Sequence, residues 1–218
     1  STGKSENKFG VSIKSFYIFY KNKKNFKYLK IDALSVHIGS QILSDIPYKK
    51  TLNILLKVIN KLKIKLKYID LGGGFGISYE KKDKKINLSK YASQVHNFKK
   101  KLNCNIIFEP GRSLVGNSGI LVSKIQYIKK GPNKYFIILD AGMNDFMRPA
   151  LYEARHEILP VNKISKKISN ALEFVGPICE STCKFTAYKN YQKMNEGDFV
   201  AITNTGAYGS SLSSNYNT

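Results

Sequence analysis

Arginine is scarce in this chain. Of 36 basic residues only three are arginine, Arg112, Arg148 and Arg155, which leaves 33 lysines (36 minus three). Where lysine serves nearly everywhere, a retained arginine marks a place that a point charge does not serve. A guanidinium grips carboxylate or phosphate through a fixed fork. Arg155 reads more plainly, as a helix-surface or ion-pair residue. Cysteine is scarce too. Cys104, Cys179 and Cys183 cannot make the disulfide framework of a small secreted protein. Cys179 and Cys183 are spaced C-x-x-x-C, but no second ligand pair accompanies them, so no metal site is expected. Long apolar runs are missing, the longest being short ones such as residues 135–139. No stretch approaches a membrane span and no signal-peptide pattern is seen, so a cytoplasmic protein without membrane attachment is expected. Acidic residues number only 15, and the net charge is +21. That excess invites a nucleic-acid reading through counterion release. The lysines, however, are spread between the apolar positions of helices, with no recognition motif and no organised basic stripe. A solvated lysine-rich surface accounts for them, and no nucleic-acid partner is expected.

What is present is a globular composition. The 218 residues are 42% hydrophobic and 12% aromatic, enough for one large or two modest domains. Three short β-branched stretches, 31–36, 67–71 and 105–108, alternate with two segments of helical spacing. Leu52, Leu55, Leu56, Ile59 and Leu62 form one apolar stripe, and Tyr91, Val95, Phe98 and Leu102 the other. From about residue 119 the texture changes. Segments 120–128, 135–139, 171–175 and 199–202 read as strands. Turn signals lie at Gly131-Pro132-Asn133, Asn195-Glu196-Gly197-Asp198 and Asn204-Thr205-Gly206. The fold class expected is α/β followed by β: a partial (β/α) barrel over residues 1–115, then a mainly antiparallel β-domain over 116–218.

Four strings carry the chemistry: His37-Ile38-Gly39-Ser40-Gln41, Gly72-Gly73-Gly74-Phe75-Gly76, Glu109-Pro110-Gly111-Arg112 and Gly176-Pro177-Ile178-Cys179-Glu180-Ser181. The first three each follow a predicted strand, which is where barrels of this kind build their sites. A glycine tripeptide offers backbone N–H groups to an anion, histidine a flat ring, glutamate an acceptor and arginine a bidentate donor. Taken singly, each has a plainer reading: a flexible turn, a capping histidine, a strand-ending glutamate, a small buried thiol.

Together, in this order and spacing, the strings resemble the fold-type III pyridoxal-phosphate decarboxylases, and within them the branch that acts on diaminopimelate. Further strings share the likeness. They are Ser1-Thr2-Gly3, Lys8-Phe9-Gly10, Asp140-Ala141-Gly142-Met143-Asn144-Asp145, Arg148-Pro149-Ala150-Leu151-Tyr152, Gly206-Ala207-Tyr208-Gly209 and Ser214-Asn215-Tyr216-Asn217. The likeness spans essentially the whole chain. It implies pyridoxal 5'-phosphate as cofactor, with the C-terminal half of a cofactor-binding (β/α)8 barrel and most of the β-domain. His37 would stack on the cofactor ring and Glu109 would face its nitrogen. Ser40, Gly72, Gly73, Gly74, Gly111 and Tyr208 would neighbour the phosphate. Arg112, Arg148 and Tyr152 would hold substrate carboxylates, with Tyr208 beside them. Cys179 would be a catalytic thiol and Glu180 a substrate-recognition acid, both supplied to the partner's site of a homodimer. The implied reaction converts meso-2,6-diaminopimelate to L-lysine and carbon dioxide, the last step of lysine biosynthesis.

Two departures from the family pattern accompany the likeness. No lysine here stands in a string resembling the family's Schiff-base motif, and the chain opens at Ser1 inside a family string. A fragment, inactive by itself, is therefore expected. Cys183 also stands where the family has an acidic residue. The alternatives are a relative acting on ornithine, arginine or carboxynorspermidine, and a non-catalytic homologue without the Schiff-base lysine. Arginine plus glutamate at the far end of the substrate favour diaminopimelate, whose second amino-acid head needs both partners.

Overall fold

The computed structural model describes residues 7–80, 82–162 and 166–217. The Ser1-Thr2-Gly3 string lies outside the described residues. Two units divide the chain: Ser1–Ile77 with Lys84–Ser113, and Ser78–Asp83 with Leu114–Thr218.

The first unit alternates strand and helix. Strands β1 (Ala33–Ser35), β2 (Tyr68–Asp70) and β3 (Asn105–Ile107) form a parallel sheet in that order. Leu34 pairs with Ile69, and Ile69 with Ile106. Helix α2 (Ile46–Leu62) joins β1 to β2, and α3 (Leu88–Leu102) joins β2 to β3. Both expected stripes turn inward: Leu52, Leu55 and Ile59 on α2, and Tyr91, Val95 and Phe98 on α3, are buried. Local chemistry fixes the helix ends. Pro47 opens α2, where no hydrogen-bonded N–H is needed, and the Asn87 side chain caps α3 by accepting from Lys90 N–H at 2.8 Å. Lys63 and Asn103 end them in the left-handed region. Helix α1 (Ile13–Lys21), capped by Ser12, has no counterpart among the expected elements because none of its residues is buried.

The second unit is built on a six-stranded sheet. Its strands are β4 (Leu121–Lys130), β5 (Tyr135–Leu139), β6 (Ile158–Pro160), β8 (Leu172–Val175), β9 (Lys184–Tyr188) and β11 (Phe199–Ile202), in the order β6-β11-β4-β5-β8-β9. All neighbours are antiparallel except β5 and β8. A small pair, β7 (Lys167–Ile168) with β10 (Tyr191–Gln192), stands apart in pairing. Ile125, Leu139, Ile158, Phe174, Val200 and Ile202 are wholly buried and make the core. Two short α-helices follow, α4 (Arg112–Val115), whose residues divide between the two units, and α5 (Arg148–Tyr152) in the second. Among the described residues no helix is long and apolar enough to cross a membrane.

Candidate active site

In the first unit the expected cofactor residues gather where the parallel strands end. The β1 end leads to His37, the β2 end to Gly72-Gly73-Gly74 and the β3 end to Glu109. The loops interlock through backbone. Glu109 N–H donates to the Gly72 carbonyl at 2.9 Å; Ile42 N–H donates to the Gly74 carbonyl at 2.9 Å and Gly76 N–H to the Ile42 carbonyl at 3.1 Å, which ties the first loop to the second. Gln41 adds two more, accepting from Ile77 N–H at 3.2 Å and donating to its carbonyl at 2.6 Å. Beneath the glycines lies an aromatic trio, Tyr48, Phe75 and Tyr91, with ring centroids 4.9–5.2 Å apart. The Tyr48 hydroxyl donates to the Gly73 carbonyl at 3.1 Å. Burial pushes the Tyr91 phenol up to about 12, so it stays protonated.

The three glycines are required by packing within the chain. A β-carbon at Gly72 would lie 2.5 Å from the Val36 carbonyl oxygen, at Gly73 2.1 Å from that of Glu109, and at Gly74 2.2 Å from that of Gly39. Nor is the tripeptide a row of open donors. Gly72 N–H donates to the Asp70 carboxylate at 2.8 Å, and Gly73 N–H faces His37 Nδ1 at 3.5 Å. Open space lies instead at Gly111, where a β-carbon would meet no atom within 4 Å. Beside it Arg112 donates from Nη2 to the Ser40 hydroxyl at 3.1 Å, so these two expected residues are joined. His37, Ser40 and Glu109 are all exposed.

In the second unit Arg148 and Tyr152 occupy the same short helix, four positions apart and hence on one face. Arg148 is only 5% exposed while Tyr152 is open to solvent. The Arg148 Nη1 donates to the Tyr79 hydroxyl at 2.7 Å, and its Nε is buried with no hydrogen-bond partner. Its guanidinium carbon lies 5.9 Å from the Tyr208 ring centre, which brings a third expected residue to the same place. The ion pairs among the described residues do not include Arg148, whereas Arg155 pairs with Glu80 at 3.6 Å.

Cys179 and Glu180 stand exposed on the loop between β8 and β9. There a Glu180 carboxylate oxygen accepts from the Tyr216 hydroxyl at 2.5 Å, and that bond raises the Tyr216 pKa. Cys183, by contrast, is buried, its sulfur accepting from Met143 N–H at 3.3 Å. The thiol in the position expected to be acidic thus serves the packing of this loop. Tyr48, Tyr79 and Tyr216 touch expected residues, at Gly73, Arg148 and Glu180, but are not among the expected site residues. Tyr216 has a signal in the Ser214-Asn215-Tyr216-Asn217 string, and Tyr79 in its place a few residues after the glycines.

The pattern of a pyridoxal-dependent decarboxylase, C-terminal sheet domain, matches residues 16–206. The chain belongs to the pyridoxal-dependent decarboxylase family. Within that family it is similar to the diaminopimelate decarboxylase of Aquifex aeolicus, at 38% identity over all of this chain and 52% of that protein. Similarity to the diaminopimelate decarboxylase of Campylobacter jejuni is 42% over all of this chain and 54% of that protein. The crystal structure of diaminopimelate decarboxylase from Helicobacter pylori complexed with L-lysine superposes with a TM-score of 0.90. It is 40% identical, covering all of this chain and 54% of that one. The chain thus spans about half the length of the curated relatives it matches. The match runs through residues of both units. For a pyridoxal-dependent decarboxylase the strand-end residues of the first unit fit the cofactor. Glu109 supplies a carboxylate, His37 an exposed ring, and Gly111 an approach with nothing in the way.

Proposed function

We propose that this chain supplies ring-binding and substrate-recognition residues of a diaminopimelate decarboxylase, converting meso-2,6-diaminopimelate to L-lysine and carbon dioxide. The observation that carries the reading is Arg148, a buried guanidinium whose Nε lacks a partner and which no carboxylate of the described residues neutralises. A buried charge needs compensation, so an anion belongs there. A carboxylate of the substrate is that anion. The relatives named above support the same substrate.

Bound pyridoxal phosphate supplies an electron sink for the pair left behind by a departing carboxylate. Glu109 would hold a proton on the cofactor's ring nitrogen. His37 would shield the cofactor ring from water. Ser40 and Gly111 would receive its phosphate. Gly72, Gly73 and Gly74 hold the loops in place. The phosphate contact of Tyr208 rests on the family likeness. Arg112 and Arg148 each bind a carboxylate through a fork, with Tyr152 beside Arg148 on α5. In this reading the active form is a homodimer. Cys179 then holds the proton delivered to the carbon that has lost its carboxylate, and Glu180 binds the distant ammonium, both in the partner's site.

The test is substrate choice. The protein extended to the full length of its relatives, supplied with pyridoxal phosphate, is expected to form one lysine per carbon dioxide released from meso-diaminopimelate. Turnover of ornithine or arginine with none of diaminopimelate overturns the reading.

A further inference from the structure

Among the described residues the hydrogen-bond and ring partners of Arg148 are neutral, and one side chain does most of the holding. The Tyr79 hydroxyl accepts its Nη1–H at 2.7 Å, while the Tyr79 ring centre lies 5.0 Å from the guanidinium carbon. One residue thus fixes the direction of the fork through its oxygen and sets a π-face within cation–π range of the guanidinium carbon. A carboxylate in this place would neutralise the arginine and compete with an incoming anion. A phenol orients the cation and leaves its charge available.

Tyr79 is itself immobilised. Its N–H and that of Glu80 both donate to Asp83 Oδ2, at 2.9 and 3.0 Å, and Glu80 pairs with Arg155. The segment Ser78–Asp83 belongs to the second unit although its sequence neighbours on both sides belong to the first. Behind the Tyr79 ring stands His156, only 2% exposed, edge-on at 4.8 Å between ring centres. His156 packs edge-on against Phe146 at 4.7 Å, and its Nδ1 lies 2.8 Å from the Thr203 carbonyl. A carbonyl only accepts, so Nδ1 carries the proton and the ring cannot turn without losing that bond. Arg148, Tyr79, His156 and Phe146 form a continuous chain of contacts that starts at a charged fork and passes edge-on from ring to ring into the core.

We propose that Tyr79 and His156 are positioning residues that aim Arg148 at the substrate's far carboxylate, an inference that rests on the reading of Arg148 given above. Two ligands isolate the effect. L-Lysine retains the far carboxylate after decarboxylation, whereas the diamine cadaverine lacks it. The experiment uses full-length holoenzyme, with calorimetric binding of both ligands and steady-state kinetics on meso-diaminopimelate. Tyr79→Phe keeps the ring and removes the acceptor. It is expected to weaken L-lysine and raise KM about tenfold, the scale of one hydrogen bond to a charged group, while cadaverine affinity and kcat change less than about twofold. His156→Phe keeps an aromatic wall but loses the bond to Thr203, and is expected to act in the same direction by about threefold. Equal losses for both ligands, or no loss for L-lysine, overturn the positioning role of the residue changed. Arg148→Lys separates the two levels. If it leaves L-lysine binding intact, the substrate reading of Arg148 fails. If it weakens L-lysine while Tyr79→Phe does not, the positioning role alone fails.

Discussion

Gly73 lies against the backbone of Glu109 so closely that a β-carbon on it would sit 2.1 Å from the Glu109 carbonyl oxygen. The obstacle is backbone, which cannot swing aside as a side chain can. The glycine of the second strand end therefore sets where the carboxylate-bearing residue of the third strand end stands. Phosphate chemistry alone does not explain the three glycines.

Gly73→Ala is accordingly expected to destabilise the fold by on the order of 3 kcal/mol, the upper end for overpacking. Gly111→Ala, with nothing within 4 Å of the new carbon, is expected to change stability by less than about 0.5 kcal/mol. It should instead weaken pyridoxal phosphate binding. Urea unfolding and cofactor titration of the two variants check this. Equal destabilisation would show that the space at Gly111 is not open.

Glu109→Gln removes a formal charge and keeps the shape. Charge opposite the ring nitrogen matters most when electron density reaches the ring, so turnover should fall on the order of a hundredfold while cofactor affinity changes far less. Kinetics and cofactor dissociation constants measured on one full-length preparation decide it. Unchanged turnover would leave Glu109 as the residue that ends β3.

Arg148→Lys keeps the charge and loses the fork. The loss of a charge-assisted hydrogen bond, about 1.5–3 kcal/mol, corresponds to a rise in KM of roughly tenfold to a hundredfold, with cofactor binding nearly constant. Lys130→Arg, at the exposed end of β4, is the control and should do almost nothing. If the two variants behave alike, the scarcity of arginine carries no meaning at this position.

Tyr216 gives a pH dependence. Its hydrogen bond to Glu180, followed by the charge of the same carboxylate, raises the phenol above its ordinary value of 10.0. A raised folded pKa means that the protonated phenol is favoured in the fold. The bond's contribution is complete below the unfolded pKa and is lost as pH rises through the higher folded one. Spectrophotometric titration of tyrosinate should show Tyr216 among the groups that ionise late, alongside buried phenols such as Tyr91. Glu180→Gln should bring Tyr216 back toward 10. A titration curve identical in the two proteins would mean that the bond does not persist in solution.

Much of the architecture is written locally. The stripes of α2 and α3 are legible because a helix buries every third or fourth residue. The β4 and β5 hairpin is legible because Gly131-Pro132-Asn133 separates two alternating runs, and the bond from Gly131 N–H to the Lys134 carbonyl closes it at 2.9 Å. Strands β6, β7, β9 and β10 escape such reading. The longest of them has only five residues, and its pairing partners, not its own pattern, make it a strand. The strings that carry the chemistry were also legible, since ring, carboxylate, fork and thiol are properties of residue types.

Sequence by itself determined the family, the order of the three strands and the two helices between them in the first unit, and the residue types available to a cofactor. Tertiary structure alone decided how those residues are held. Glu180 and Tyr216 meet across 36 positions, and Tyr79 leaves its sequence neighbours to join Arg148 and His156. The requirement for glycine at positions 72–74 comes from carbonyls of three other segments. Periodicity reports which face of an element is apolar. It carries no information about which distant backbone or ring will press against that face, because such contacts are set by packing of the whole unit.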